Sequence, residues 1–314
     1  MRYKVLITED IDRTAKEYLK KLGYDVKVAS GTSENILVRE VSDCDGMIVR
    51  MARINKKVMR AGRKLKVISK FGVGMDNIDV DEATKLGIKL TNSPESNRNS
   101  VAEYTIGLVI ALAKKYFTYD SEIRSGNFQI RTSLGMDVAG KTLGIIGMGN
   151  IGKLVSKKAV YGLEMNVIAY KKHKYTGENL EGVEFTDNLD YVLENSDFIS
   201  LHVPLTKSTR GLIGKRELDI MKKTSFLINT ARGGVVDTTA LVCALKNGTI
   251  AGAAVDVFEG EIPSRDNPLL KLCNVIVTPH TAAHTVEAFE RMSMHPAIGV
   301  HEVLSGAKPS WPFN

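Results

Sequence analysis

Short apolar runs rich in Val and Ile alternate with longer stretches of helical periodicity along almost the whole chain. That alternation is the signature of βαβ units around a parallel sheet, so the expected class is α/β. Near the start, Lys4–Thr8 reads as a strand, Asp12–Leu22 as an amphipathic helix ended by Gly23, and Asp25–Ala29 as a second strand. Gly46–Arg50 and Leu65–Gly72 continue the series. A long apolar helix is expected from Ser100 to Lys114, opened by Ser100 as a cap with Glu103 three residues on, and a polar loop over Arg124–Gly140 follows it.

A second series then supplies six strand candidates: Lys141–Gly147, Met165–Tyr170, Ser196–Pro204, Ser225–Ala231, Ile250–Phe258 and Asn274–His280. Six strands with crossovers match a doubly wound dinucleotide fold. From Thr285 a helix is expected that Pro296 kinks or breaks, and then a Trp311–Asn314 tail with no strand of its own, both packing back on the first part. The domains expected are 1–97 with 285–314 and 98–284, and two domains imply a cleft for a ligand.

Composition narrows the class without choosing a function. The 314 residues are 43% hydrophobic and 25% charged, which excludes disorder, collagen and coiled coil. Cys44, Cys243 and Cys273 lie far apart and offer neither a disulfide framework nor a metal site. No run is long enough for a signal-peptide core or a membrane span, so a cytoplasmic chain with no membrane partner is expected. The net charge of +7 is compatible with nucleic acid, a membrane surface or small anions. The basic segment Arg60–Lys70 has no interleaved aromatic residues, so no nucleic-acid partner is expected.

The most informative string is LGIIGMGNIG. Gly147, Gly149 and Gly152 stand in GxGxxG spacing after a strand and before the helical stretch Ile151–Val160, with Asn150 and Ile151 also assigned to the cofactor site. A tight turn, close backbone approach and close helix packing there would bind a pyrophosphate on the helix N-terminus, although a ligand-free glycine turn has the same spelling. An NAD-selective site carries a carboxylate about 20 residues on, at the end of the next strand. Here Lys171, Lys172, His173 and Lys174 stand instead. A basic cluster would attract a 2′-phosphate, so NADP(H) is the favoured cofactor with NAD(H) possible; a solvated lysine loop is the other reading.

The strings VPLTKSTRGLIG, FLINTARGGVVD, AAVDVFEGEIP and NVIVTPHTAAHT resemble the D-isomer-specific 2-hydroxyacid dehydrogenase family, and Leu65–Ala113 resembles the same family upstream. The resemblance implies two Rossmann-like domains, the dinucleotide domain being inserted in a flavodoxin-like substrate domain. It implies hydride transfer between a nicotinamide cofactor and a small D-2-hydroxy or 2-oxo acid: glyoxylate, hydroxypyruvate, pyruvate or 3-phosphohydroxypyruvate. The catalytic residues it implies are Arg232, Glu261 and His280. Arg232 would fork onto carboxylate and keto oxygens, His280 would be the acid, and a carboxylate at Glu261 would favour imidazolium.

By the same resemblance Val203, Pro204 and Thr209 line the adenosine side, Asp256 takes the nicotinamide amide, and Thr230, Ala231 and Ala283 complete the cofactor set with Arg232 and His280. Arg50 and the amides at Val73 and Gly74 would receive the substrate carboxylate, with Arg53 a candidate for a substrate phosphate. Three positions depart from the family pattern: Ile262 replaces Pro after the catalytic Glu, Glu95 replaces Gly in the NxPG string, and Phe128 replaces Trp. A homodimer is implied. The chain stops soon after its return crossing, from which no appended regulatory domain is expected. A dinucleotide-binding corepressor of the same fold is the alternative function.

Overall fold

The computed structural model describes residues 2–172, 180–260 and 263–314. The chain divides into two compact units, one of residues 1–97 with 284–314 and one of residues 98–283.

In the first unit, β1 (Lys4–Ile7), β2 (Asp25–Val28), β3 (Gly46–Val49), β4 (Val67–Lys70) and β5 (Lys89–Thr91) form one parallel sheet in the order β2-β1-β3-β4-β5. That is the flavodoxin-like winding, which places helices on both faces. Leu6, Met47, Val49, Ile68 and Leu90 point into one core with Leu37, Val41, Val58 and Ile78. The other face carries the helix Val286–Ser305, which comes close enough that a Cβ at Gly299 would sit 2.6 Å from Thr91 Oγ1.

Two expectations are corrected in this unit. β5 is an additional strand, whose KLT breaks the Val/Ile run with polar residues. The helix Val286–Ser305 runs unbroken through Pro296. Proline costs about 3 kcal/mol inside a helix, but burial of Ala288, Met292, Ala297, Val300 and Leu304 along this face outweighs it. The tail has no strand of its own, as expected, and Pro312 forms one isolated antiparallel bridge with Thr91 at the open edge of β5.

The second unit has seven parallel strands: β6 (Thr142–Ile146), β7 (Asn166–Tyr170), β8 (Val183–Thr186), β9 (Phe198–Leu201), β10 (Phe226–Asn229), β11 (Gly252–Val255) and β12 (Val275–Val277). Their order is β12-β11-β10-β9-β6-β7-β8. The winding reverses at β6, which has β7 on one side and β9 on the other. The helices Arg98–Ala113 and Asn150–Leu163 cover one face, and Lys215–Ile220 and Thr238–Lys246 contribute to the core on the other.

Six of these strands coincide with the expected runs, while β8 is an edge strand that the sequence reading passed over. Ser100 is not a cap: the helix begins at Arg98, Ser100 is buried inside it, and Glu103 accepts from Asn99 Nδ2 at 2.6 Å one turn back. A further helix, Tyr116–Arg124, precedes the expected loop, and within that loop Phe128–Thr132 is a 3₁₀ turn. No helix among the described residues is long and apolar enough to cross a membrane.

Candidate active site

The glycine turn lies at the carboxyl end of β6, beside the point where the winding reverses. Open parallel sheets bind ligands at such a point. Gly147 has φ +108°, and a Cβ there would meet His202 O at 2.6 Å and Val203 Cγ1 at 2.9 Å. Only glycine fits, so the end of β9 closes directly over the turn. A Cβ at Gly152 would meet Gly147 O at 2.2 Å, which explains the third glycine as a helix-packing requirement.

Gly149 differs from both. It is exposed, with open space around the position a Cβ would take, and it opens the helix Asn150–Leu163 without a side-chain cap. Exposed first-turn amides and a positive helix end behind an open backbone approach fit the pyrophosphate of a dinucleotide.

The remaining predicted residues of this unit stand at the carboxyl ends of neighbouring strands. Lys171 and Lys172 are exposed just past β7, and Lys171 N extends the ladder to Thr186 O at 2.9 Å. His173 and Lys174 lie outside the described residues, as does Glu261. Past β9, Thr209 Oγ1 donates to Pro204 O at 2.5 Å and accepts from Thr206 N at 2.8 Å, which closes the loop that carries Val203. His202 Nε2 shares a hydrogen bond of 2.9 Å with Ser200 Oγ, and burial pushes this imidazole down to about 4. It is therefore neutral at physiological pH.

After β10, Thr230 and Ala231 are buried, and Thr230 Oγ1 lies 3.1 Å from Thr105 Oγ1. Asn229, which the sequence reading did not single out, holds the next turn from both sides. Its Oδ1 accepts from Ala231 N at 3.0 Å and its Nδ2 donates to Arg232 O at 3.0 Å. Arg232 stays partly exposed and donates through Nη1 to Ala231 O at 2.7 Å. A Cβ at Gly233 would lie 2.2 Å from Phe258 C, so the arginine turn rests against the backbone at Phe258 and Glu259. Glu259 itself is exposed and pairs with Arg210 at 3.4 Å.

Asp256, just past β11, performs the same task across a longer distance in the chain. Its carboxylate is fully buried and accepts from Thr278 Oγ1 at 2.6 Å, Thr281 N at 2.9 Å and Ala282 N at 3.0 Å. Its carbonyl accepts from His280 N at 2.7 Å. The same carboxylate that the resemblance assigns to the nicotinamide amide holds the turn that carries His280, with Ala283 just beyond. His280 adopts φ +57°, a conformation that a non-glycine residue holds only when its surroundings enforce it. A polar residue ending an apolar run was the one available signal for Asn229 and for this use of Asp256.

In the first unit, Arg50 ends β3 with its guanidinium carbon 5.3 Å from the Phe71 ring centre and 5.6 Å from that of Phe289. Two aromatic faces hold it by cation–π attraction. Arg53 is exposed nearby in sequence. Gly72 has φ +104°, and the partly open turn through Val73 and Gly74 is fixed by Asn92 Nδ2 donating to Val73 O at 3.0 Å and Ser93 N to Gly72 O at 2.8 Å. No group of three or more His, Cys, Asp or Glu suited to a metal occurs among the described residues.

Residues 106–282 match the family model described as the NAD-binding domain of D-isomer specific 2-hydroxyacid dehydrogenases. The chain belongs to the D-isomer-specific 2-hydroxyacid dehydrogenase family. It is 44% identical to a D-3-phosphoglycerate dehydrogenase of Archaeoglobus fulgidus over 96% of this chain and 58% of that protein, so it spans little more than half of that relative's length. It is 41% identical to a glyoxylate reductase of Thermofilum pendens over 98% of this chain and 93% of that protein. Among solved structures, an NADPH-dependent glyoxylate/hydroxypyruvate reductase of Sinorhizobium meliloti, in complex with NADP and malonate, superposes with TM-score 0.89 and 27% identity over 100% of this chain and 97% of that one. In this 2-hydroxyacid dehydrogenase family member, the second unit is the nicotinamide-dinucleotide domain, and both parallel sheets follow the winding that the resemblance implied.

Proposed function

We propose that the chain is an oxidoreductase that transfers hydride between a nicotinamide cofactor and a small D-2-hydroxy or 2-oxo acid. The observation that carries this reading is the placement of the open turn at Gly149, the Arg232 turn and the His280 turn at the carboxyl ends of one parallel sheet. A nicotinamide dinucleotide held at the Gly149 turn would supply hydride to C2 of the oxo acid and accept it in the reverse direction. Arg232 holds the keto and carboxylate oxygens with its planar fork, a geometry that lysine does not reproduce. His280 gives its proton to the oxygen that becomes the hydroxyl, and Glu261 stabilises the imidazolium before that transfer. The amides at Val73 and Gly74, with Arg50, take the substrate carboxylate.

NADP(H) is the favoured cofactor within this reading. Two exposed lysines past β7 and a sequence without a carboxylate from Lys171 to Lys174 support it, as does the NADP complex of the S. meliloti relative. The names of the relatives favour an enzyme over a corepressor. A homodimer is supported by the arm that follows the helix Arg98–Ala113. Neither Tyr116–Arg124 nor Phe128–Thr132 buries a residue, and Phe117, Phe128 and Leu134 are 59%, 66% and 81% exposed. Apolar side chains concentrated this way suit a second copy of the chain.

The test is a matrix of glyoxylate, hydroxypyruvate, pyruvate and 3-phosphohydroxypyruvate against NADPH and NADH. Turnover of at least one acid with NADPH preferred is expected. A tenfold preference for NADH would sink the NADP reading, and no oxidation of either nucleotide would favour a purely binding role.

A further inference from the structure

Residues 310–314 are tied into the first unit by a series of hydrogen bonds and one stacked ring pair. Ser310 donates from N and Oγ to Glu302 at 2.8 and 2.6 Å. The Trp311 ring lies flat on the imidazole of His295, with centres 4.1 Å apart and planes 9° apart. Phe313 N donates to Leu90 O at 2.8 Å, and Asn314 Oδ1 accepts from Leu90 N at 2.8 Å. Asn314 Nδ2 donates to Ile88 O at 3.1 Å and Thr84 Oγ1 at 3.0 Å. The outer side of β5, a sheet edge left open by the winding, is thereby closed by the tail.

The same tail grips the segment that follows β5. Trp311 O accepts from Asn92 N at 3.2 Å. Asn92 and Ser93 in turn hold the anion turn, through Asn92 Nδ2 to Val73 O at 3.0 Å, Ser93 N to Gly72 O at 2.8 Å and Ser93 Oγ to Lys70 O at 3.1 Å. Farther along, Arg291, one helical turn before His295, donates from Nε to Ser96 O at 2.8 Å. Asn92–Ser96 is therefore a beam with the Gly72–Val73 turn on one side and the Trp311 tail and the helix Val286–Ser305 on the other.

We propose that Trp311, seated on His295, is a positioning residue: it fixes Asn92–Ser96 and through it the carbonyl orientations at Gly72 and Val73, so that the amides of Val73 and Gly74 face the substrate carboxylate. This rests on the substrate reading of that turn given above. The tail touches no reacting atom in this account. It removes conformational freedom from a short turn that would otherwise have to be ordered by the substrate on binding.

Trp311→Ala and Trp311→Phe test this by two readouts. In Trp311→Ala, hydrogen exchange of the amides over 90–96 and 72–74 should rise by about tenfold or more, while those of β1 and β3 keep their rates. KM for the 2-oxo acid should rise about three- to tenfold, the weight of one aromatic stack, with kcat within about twofold and cofactor affinity unchanged. Trp311→Phe keeps a ring on His295 and should restore both. Unchanged exchange in Trp311→Ala overturns the proposal. Faster exchange at 72–74 with unchanged KM overturns the substrate role of the turn, and with it the link to catalysis. Exchange is read without substrate, so a failed strap and a failed substrate site give different results.

Discussion

Single residues show how far backbone demands dictate this site. Gly147 and Gly152 are glycines because the next atoms are carbonyls within 2.6 and 2.2 Å of a Cβ, whereas Gly149 is glycine with space to spare, which is what a ligand approaching the backbone needs. His280 keeps φ +57° because Asp256 binds its amide and the flanking residues. His280→Ala should lower kcat by about two to four decades, the usual weight of a general acid; a variant with more than half of the original kcat would refute the role. His202 leads to a different expectation. Burial lowers it from 6.5 to about 4, so the unfolded chain takes up a proton between those values that the folded chain refuses. Stability should be full above about pH 6.5 and fall as pH drops toward 4, by at most about 3 kcal/mol from this group. Calorimetry between pH 7 and 5 should give a falling Tm whose slope flattens in His202→Asn, and an identical slope in the variant would contradict the assignment.

At the scale of elements, the strands buried on both faces were legible because they are continuous apolar runs bounded by turn residues. β1, β3, β4, β6, β9, β10 and β11 are all of this kind. β5 and β8 were not legible because KLT and VEFT break the Val/Ile run with polar residues, whereas the equally short edge strands β2 and β12 keep two valines or an unbroken VIV. The helix start at Arg98 was masked by a plausible cap at Ser100, and the continuity of Val286–Ser305 through Pro296 depends on a core that local propensity does not reveal. The glycine turn and the arginine and histidine turns were readable from motif spacing. Asn229 and the turn-holding use of Asp256 were not, since their partners follow from fold geometry rather than from periodicity. The arm after Ala113, of which Arg124–Gly140 reads as a polar loop, is most informative for its exposed apolar side chains. Replacing Phe128 and Leu134 with Asp should shift a dimer to monomer by sedimentation analysis, and an unchanged mass would place the subunit contact elsewhere.

For the whole molecule, the excess of seven positive charges fits the small anionic ligands of the proposed function. Lys171 and Lys172 stand beside the dinucleotide turn, Arg232 follows β10, and Arg50 is held between two rings in the other unit. The turns after β4, β6, β10 and β12 lie at carboxyl strand ends, where parallel α/β units commonly bind ligands. Glu95, where the family pattern has Gly, is exposed on the beam beside the anion turn. The most direct test of the central claim follows the hydride itself. The four 2-oxo acids are each incubated with dinucleotide carrying deuterium at both C4 positions, and the products are read by mass and chirality. The account predicts a D-2-hydroxy acid with one deuterium at C2 from at least one of them; absence of labelled product from all four, or an L product, would contradict it.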